Sequence, residues 1–222
     1  LLLKPVHDQF GGRLARVVVG GSYVDPELAD YFYKLGIGVF IGYGLTEVCT
    51  VIALNDLRPY RGDTVGRVVS GGELKINEPN EAGIGEIWVR APFLMSGYFR
   101  NEELTSETIA DGWLRTGDLG FLDPQGHLKL VGRSKNMIVT DGGKNIYPED
   151  VEVAFEGLEG CEEFCVFATH VVFPESEVQV LKDHLVLIVR PKEPSDDTLA
   201  ERIKAANRRL EQYKRVSGYF VW

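Results

Sequence analysis

The stretch that decides the fold runs from residue 15 to residue 47 and reads ARVVVGGSYVDPELADYFYKLGIGVFIGYGLTE. Its β-branched beginning, at residues 15–19, predicts a short buried strand. Asp25 is a suitable N-cap and Pro26 suits a first helical turn, so a helix should follow. Residues 37–41 predict a second strand. Because the connections around the helix are short, we expect the two strands to pair in parallel.

A glycine-containing loop follows each of these strands. The first is Gly20-Gly21-Ser22 and the second is Gly42-Tyr43-Gly44-Leu45-Thr46-Glu47. Ligands of open α/β sheets bind at the carboxyl ends of the strands. In the second loop Tyr43 can stack on a flat ring, Thr46 offers a hydroxyl, and Glu47 offers the carboxylate oxygen that Mg²⁺ prefers. Taken alone, however, this loop is better explained as a glycine-rich turn with a surface glutamate.

The middle of the chain has a different pattern. Residues 73–77, 86–91 and 128–132 predict strands separated by turns, and the sequence Asp123-Pro124-Gln125-Gly126 is typical of a turn between two strands. Residues of about 60 to 132 therefore predict a small antiparallel β unit.

The last third of the chain predicts an α+β unit after a polar linker at residues 133–136. Strands are expected at residues 164–169 and 185–189, and the chain reaches Trp222 in what we expect to be another strand. A helix is expected between the strand at residues 185–189 and the last strand, with Ser195 or Thr198 as its N-cap. Its apolar face has helical spacing and comprises Leu199, Ile203, Ala206, Leu210 and Tyr213.

Charge and cysteine content exclude several classes of protein. Lysine and arginine number 24 against 33 aspartates and glutamates, a net charge of −9 that argues against a nucleic-acid partner. Cys49, Cys161 and Cys165 form neither a zinc pattern nor a disulfide framework, so we expect a reducing, cytoplasmic location. The longest uncharged stretch, residues 35–46, is too short to span a membrane. Peripheral membrane contact and the oligomeric state stay open.

Three further segments carry candidate ligand-binding residues. Asp118, beside Gly117, could accept hydrogen bonds from a ribose diol. Arg133 could bring a guanidinium to a phosphate or a sugar. The loop at residues 141–145 is superficially like a phosphate-binding loop but fails that pattern, since Asn145 is neither serine nor threonine. Taken in isolation, each segment is better explained by a structural role: an Asx turn, a solvated basic linker and a hairpin turn, respectively.

The order of these segments resembles the adenylate-forming superfamily, which includes acyl-CoA synthetases, peptide-synthetase adenylation domains and firefly-type luciferases. The resemblance covers nearly the whole chain. Its motifs are Gly20-Gly21-Ser22, Tyr43-Gly44-Leu45-Thr46-Glu47, Gly85-Glu86-Ile87-Trp88-Val89-Arg90, Met95-Ser96-Gly97-Tyr98, Thr116-Gly117-Asp118, Gly132-Arg133, and Gly143-Lys144-Asn145-Ile146-Tyr147-Pro148-Glu149 with Val151-Glu152. The segment at residues 140–148 is most like long-chain fatty acyl-CoA synthetases.

The resemblance implies a fold class of α/β plus α+β in three parts. Residues 1–60 would be the end of a large N-terminal α/β nucleotide-binding domain, and residues 61–133 its small antiparallel β subdomain. Residues 134–222 would form a small, mobile α+β C-terminal domain, truncated at its end.

The resemblance also implies an activity: ATP activates a carboxylic acid, expected to be a fatty acid, to an acyl-adenylate, which coenzyme A then attacks to give a thioester. ATP, Mg²⁺ and coenzyme A are thus the expected cofactor and co-substrates.

The resemblance further implies roles for single residues. Thr46, Glu47 and Arg133 would be catalytic, and Glu47 would hold the magnesium ion. The nucleotide, hinge and coenzyme A positions would comprise Gly21, Ser22, Gly42, Tyr43, Gly44, Asp118, Lys135 and Gly143. Among these, Tyr43 would lie against adenine, Asp118 would bind the ribose, Lys135 would lie at the domain hinge, and Gly143 would line the pantetheine tunnel.

Two departures from the family pattern limit what this chain is expected to do alone. We find no copy of the serine-, threonine- and glycine-rich phosphate loop, expected before residue 1, or of the catalytic lysine motif, expected after residue 222. We therefore expect the 222-residue chain alone to be inactive. Two alternatives stay open: an adenylation domain that loads a carrier protein, and a degenerate family member that binds nucleotide without chemistry.

Overall fold

The computed structural model describes residues 3–139, 144–169, 184–193, 196 and 198–222. The chain forms two compact units, Leu1–Leu130 and Val131–Trp222. The division falls inside a strand, three residues before the boundary that the sequence predicts after residue 133. The assignment of these units to domains of a longer enzyme stays a prediction.

The first part of unit 1 is a four-stranded sheet with two helices. Its elements are α1 (Lys4–Gln9), β1 (Arg16–Gly20), α2 (Pro26–Lys34), β2 (Gly38–Tyr43), a 3₁₀ helix (Thr46–Val48), β3 (Ala53–Leu54) and β4 (Arg67–Val68). The strand order is β1-β2-β3-β4, and β1 and β2 pair in parallel from Arg16↔Gly38 to Gly20↔Gly42. The predicted parallel strand–helix–strand unit is thus confirmed.

The predicted start of α2 is also confirmed, but the burial of its surroundings differs from the prediction. The Asp25 carboxylate accepts a hydrogen bond from the Glu27 amide at 2.7 Å. Ala29 is the buried residue of α2, whereas the larger Leu28 is exposed. β1 is not a buried strand, since Val18 is 75% exposed. The reason is that only one face of β1 packs on the core cluster around Ala29, through Val17 and Val19, so Val18 on the opposite face is exposed.

The second part of unit 1 is the antiparallel β unit that the sequence predicts. Its elements are β5 (Glu73–Asn77), β6 (Gly85–Arg90), α3 (Glu102–Thr108), β7 (Ile109–Ala110), β8 (Trp113–Leu122) and β9 (Leu128–Arg133). The sheet has the order β5-β6-β8-β7, and β9 pairs with β8. Ile87 and Val89 of β6 are fully buried, as the alternation of that strand requires.

Side-chain caps define two features of this β unit. The Asp123 carboxylate accepts hydrogen bonds from the Gln125 and His127 amides, both at 2.9 Å, which forms the predicted turn between β8 and β9. The sequence reading missed α3, although Asn101 caps it by accepting a hydrogen bond from the Leu104 amide at 3.0 Å.

Unit 2 is an α+β arrangement around one three-stranded sheet. Its further elements are a 3₁₀ helix (Ser134–Asn136), β10 (Ile138–Val139), β11 (Asn145–Ile146), α4 (Pro148–Glu152), a 3₁₀ helix (Val153–Phe155), β12 (Cys161–Thr169), β13 (His184–Pro191), α5 (Leu199–Asn207), a 3₁₀ helix (Gln212–Lys214) and β14 (Gly218–Val221). β13 pairs antiparallel with β12 and parallel with β14. The predicted strands are therefore present.

The helix α5 packs on this sheet through the predicted face, but its cap is different from the predicted one. Leu199, Ile203 and Ala206 are buried in the core of unit 2. Thr198 precedes the helix without capping it: its backbone is already helical, with φ −91° and ψ −13°, and its hydroxyl oxygen accepts a hydrogen bond from Arg202. Ser195, the other predicted cap, lies outside the described residues.

None of the helices in the described ranges is long and apolar enough to cross a membrane.

Candidate functional site

The two predicted glycine loops lie side by side at one edge of the first sheet. Gly20 pairs with Gly42 in the parallel register, so the residues after each strand emerge at the same carboxyl edge. Gly21 has a φ of 77°, a left-handed conformation that favours glycine, and it is exposed together with Ser22. This edge is where an open α/β sheet would bind a ligand.

The loop after β2 turns back tightly on itself. The Ile52 amide donates to the Tyr43 carbonyl at 2.8 Å, which closes the loop at its base. A Cβ atom on Gly44 would lie 1.4 Å from the Thr50 carbonyl oxygen, so only glycine fits there. Cys49 and Thr50 have φ values of 53° and 105°, a strained conformation for residues with side chains. Such strain persists only where the surrounding structure imposes it, and it is concentrated at functional sites.

Thr46 and Glu47 stand on the 3₁₀ helix at the tip of this loop. The Thr46 side chain is exposed and Glu47 is half-buried. Tyr98 donates its hydroxyl to Glu47 Oε1 at 2.9 Å, and burial and this bond raise the pKa of Tyr98. The Met95 amide donates to the Glu47 carbonyl at 2.8 Å. The segment between β6 and α3 therefore holds both the backbone and the side chain of Glu47.

Asp118 lies in a bulge of β8, opposite β6. Leu119 pairs with Glu86 and Arg115 pairs with Trp88, so three residues of β8 face Ile87 alone. The bulge residue Thr116 donates its hydroxyl to the Ile87 carbonyl at 2.7 Å and accepts the Asp118 amide at 3.0 Å. Bulges of this kind redirect side chains and often occur beside active sites.

A second carboxylate stabilises the bulge. Glu86 Oε1 accepts a hydrogen bond from the Gly117 amide at 3.1 Å, and Glu86 Oε2 accepts one from the Trp88 indole N–H at 2.7 Å. Gly117 has a φ of 70°, so glycine is suited to this turn of the strand. Glu86 belongs to a motif in the sequence, but no role was predicted for it, and its bond to Gly117 could not be read from spacing.

The bulge brings Asp118 to the loop after β2. Tyr43 donates its hydroxyl to Asp118 Oδ2 at 2.8 Å, and the two residues are only 6% and 7% exposed. Unit 1 thus brings together Tyr43, Thr46, Glu47 and Asp118, which the sequence places in two distant motifs. The structure adds Tyr98 to this group; its motif was recognised in the sequence, but its contact with Glu47 was not.

The remaining predicted site residues fall in unit 2 or outside the description. Arg133 is the last residue of β9, and Lys135 lies in the 3₁₀ helix that follows. Lys135 lines a groove of about 400 Å³ together with Pro148 and Glu149. Gly143 lies outside the described residues.

The candidate metal-binding side chains of unit 1 suit a metal ion that is already coordinated by phosphate oxygens and water. In the part of the chain that the structure describes, no three histidine, cysteine, aspartate or glutamate side chains gather into a metal site. A single carboxylate, Glu47, stands at the loop tip. Mg²⁺ commonly takes one or two carboxylates and fills its other positions with phosphate oxygens and water. The residues present therefore fit a magnesium–phosphate complex rather than a metal held by protein alone.

Comparison with known proteins defines the class to which this fold and site belong. Residues 2–99 match the model of the AMP-binding enzyme family. The chain is similar in structure to the O-succinylbenzoate coenzyme A synthetase (MenE) of Bacillus subtilis. The structure of that synthetase in complex with ATP and magnesium ion has a TM-score of 0.74 and 28% sequence identity to this chain, and the alignment covers 93% of this chain and 42% of the synthetase. The structure of the same synthetase in complex with its acyl-adenylate intermediate has a TM-score of 0.77 and 26% identity, and the alignment covers 99% of this chain and 46% of the synthetase. The chain belongs to the AMP-binding, adenylate-forming enzymes.

Within this family the sequence is similar to fatty acyl ligases. It is 38% identical over 152 residues to the long-chain-fatty-acid–CoA ligase FadD15 of Mycobacterium bovis, an alignment that covers 68% of this chain and 24% of that protein. The chain spans about a quarter of the length of the curated long-chain-fatty-acid ligases that it matches. The predicted family and fold class are thereby confirmed.

Proposed function

We propose that this chain belongs to a ligase that activates a carboxylic acid with ATP, releases pyrophosphate, and passes the acyl group from the adenylate to coenzyme A. The observation that carries the proposal is the hydrogen bond between Tyr43 and Asp118, at the edge where Thr46 and Glu47 also lie. It joins two motifs of the family into one candidate nucleotide site.

The chemistry of this site matches what an adenylate-forming reaction needs. Asp118 is an acceptor suited to ribose hydroxyls, and the hydroxyl of Tyr43 fixes its carboxylate. Thr46 would donate its hydroxyl to a phosphate oxygen. Glu47 would hold Mg²⁺, which when bound supplies positive charge against the triphosphate. The exposed glycine loop at Gly21 and Ser22 would let the backbone approach the ligand.

The residues of unit 2 would serve the later part of the reaction. Arg133 would contact the nucleotide, and Lys135 would lie where a few backbone dihedrals absorb a rotation of the C-terminal domain. Gly143 would leave room for the pantetheine arm of coenzyme A. These roles are carried over from the resemblance in sequence.

A fatty acid is the substrate that we propose. The sequence similarity to FadD15 supports it, whereas the similar solved structures are named for a succinylbenzoate ligase. We also propose that the protein acts in the cytoplasm, since its cysteines fit a reducing compartment.

Pyrophosphate exchange by the full-length protein tests the proposal, with acids of graded chain length and then coenzyme A as acceptor. We expect exchange that depends on a long-chain acid, followed by an acyl-CoA thioester. Exchange with transfer only to a carrier protein would favour the carrier-loading alternative. Nucleotide binding without exchange for any acid would favour the degenerate one. The 222-residue chain alone should show no exchange.

A further inference from the structure

We infer that Tyr98 is a positioning residue for Glu47: its hydroxyl fixes one carboxylate oxygen and leaves the other directed to a cation. The inference rests on the proposed function, because it assigns to Glu47 the metal of the magnesium–nucleotide complex. It adds a residue for which the sequence predicted no role.

Two hydrogen bonds from one short segment hold Glu47. The Tyr98 hydroxyl donates to Oε1 at 2.9 Å, and the Met95 amide donates to the Glu47 carbonyl at 2.8 Å. Among the described residues, the side-chain hydrogen bond of Glu47 is the one that Oε1 accepts from Tyr98. The carboxylate is thus fixed at one oxygen while Oε2 keeps its lone pairs for a ligand.

Tyr98 is itself held by helix α3. Its amide donates to Thr105 Oγ1 at 2.9 Å, and the same hydroxyl donates to the Asn101 carbonyl at 2.7 Å. The preceding residue, Gly97, has a φ of 148°, and a Cβ there would lie 2.8 Å from Thr105 Cγ2. The close approach of this segment to α3 therefore requires glycine at residue 97. This packing fixes the backbone position from which the Tyr98 side chain extends.

A phenol suits this role better than a basic side chain would. A neutral donor orients the carboxylate without cancelling its charge, so Glu47 keeps its attraction for a cation. Groups that hydrogen-bond to a metal ligand commonly change metal affinity by 10- to 100-fold when they are removed. A half-buried glutamate on a three-residue 3₁₀ helix has several rotamers to lose on binding, and the bond from Tyr98 restricts them beforehand.

The test measures, by electron paramagnetic resonance, how tightly the full-length protein binds Mn²⁺ in the presence of ATP. Mn²⁺ serves as the probe for the magnesium position. We expect Tyr98→Phe to weaken ATP-dependent Mn²⁺ binding by about 10-fold. Tyr31→Phe is the matched control, since it removes an exposed hydroxyl from α2 and should leave the affinity unchanged.

A double-mutant cycle separates positioning from a general effect on folding. If Tyr98 acts through Glu47, Tyr98→Phe should have little further effect in a Glu47→Gln background. Equal losses in both backgrounds would overturn the inference, as would unchanged Mn²⁺ affinity in Tyr98→Phe when the wild type binds. A wild-type protein without ATP-dependent Mn²⁺ binding would overturn the proposed function and this inference together.

Discussion

The hydroxyl of Tyr43 lies 2.8 Å from the Asp118 carboxylate, although 75 residues separate the two in the chain. Both residues are more than nine-tenths buried. The bond joins the end of a parallel strand to a bulge in an antiparallel one. This contact joins two sequence motifs into one candidate site.

Replacing Tyr43 with phenylalanine should destabilise unit 1 by about 1–3 kcal/mol. The change keeps the ring but removes a donor from a buried carboxylate, which costs more than the loss of an exposed hydrogen bond. Urea denaturation measures the effect, with Tyr31→Phe as the control that should stay within about 0.5 kcal/mol of wild type. Equal stability of the two variants would mean that the bond contributes nothing to folding.

Replacing Gly44 with alanine should disrupt the loop after β2. The new Cβ would lie 1.4 Å from the Thr50 carbonyl oxygen, so the backbone must move. We expect a loss of at least about 2 kcal/mol together with weaker ATP binding. Gly20→Ala is the matched control, because its Cβ would meet the Gly42 carbonyl oxygen at an ordinary 3.5 Å. Thermal unfolding and nucleotide titration of the two variants should diverge; similar behaviour would contradict the packing argument.

Replacing Tyr60 with phenylalanine should stabilise the protein. Within the described residues the buried Tyr60 hydroxyl has no hydrogen-bond partner, and its ring stacks on Tyr33 with centroids 4.1 Å apart. The variant removes the unsatisfied oxygen and keeps the stacking, for an expected gain of about 1 kcal/mol. A lower urea midpoint would contradict the prediction, because it would mean that the hydroxyl is hydrogen-bonded, for example to a bound water.

The stability of unit 1 should fall on acidification below about pH 5. The Arg61 guanidinium, 2.8 Å from Asp63, holds the pKa of that carboxyl well below its usual range. Burial opposes the ionisation of Asp123, but hydrogen bonds from His127 and Arg61 more than offset it and lower that pKa too. A lowered pKa in the folded state stabilises above the unfolded value of about 4, and the stabilisation is lost as the pH falls.

The variant Arg61→Met should flatten this dependence when melting temperature is measured from pH 6 to pH 3. Arg90→Met is the control: it breaks an exposed pair with Glu73, and such pairs contribute little. A wild-type melting temperature that stays constant over this range would contradict the prediction.

The local parts of the fold could be predicted from sequence because local chemistry decides them. Asp25 caps α2 as expected, and Asp123 forms the predicted turn. Burial was harder to predict, since Val18 has the residue type of a core strand but lies on the face of β1 that the core cluster does not cover. The predicted cap at Thr198 is absent because the backbone of Thr198 is already helical and the side chain of Arg202, four residues on, donates to its hydroxyl oxygen.

The candidate site shows the same limit. The motifs identified Tyr43, Glu47 and Asp118 as residue types suited to binding a nucleotide. Spacing along the chain carries no information about which of them touch, since that depends on a strand register and on a bulge in β8. The contact of Tyr98 with Glu47 spans 51 residues and has no local signal.

The decisive measurement is acid-dependent pyrophosphate exchange by the full-length protein and by its Glu47→Gln variant. We expect exchange that requires both a carboxylic acid and Mg²⁺ in the wild type. We expect a fall of at least about 100-fold in the variant, because removing a charge-stabilising group from a catalytic site commonly costs 10²–10³ in rate. Asp63→Asn, away from the loop tip, should retain most of the activity. No exchange in the wild type with any acid, or full exchange in Glu47→Gln, would contradict the account.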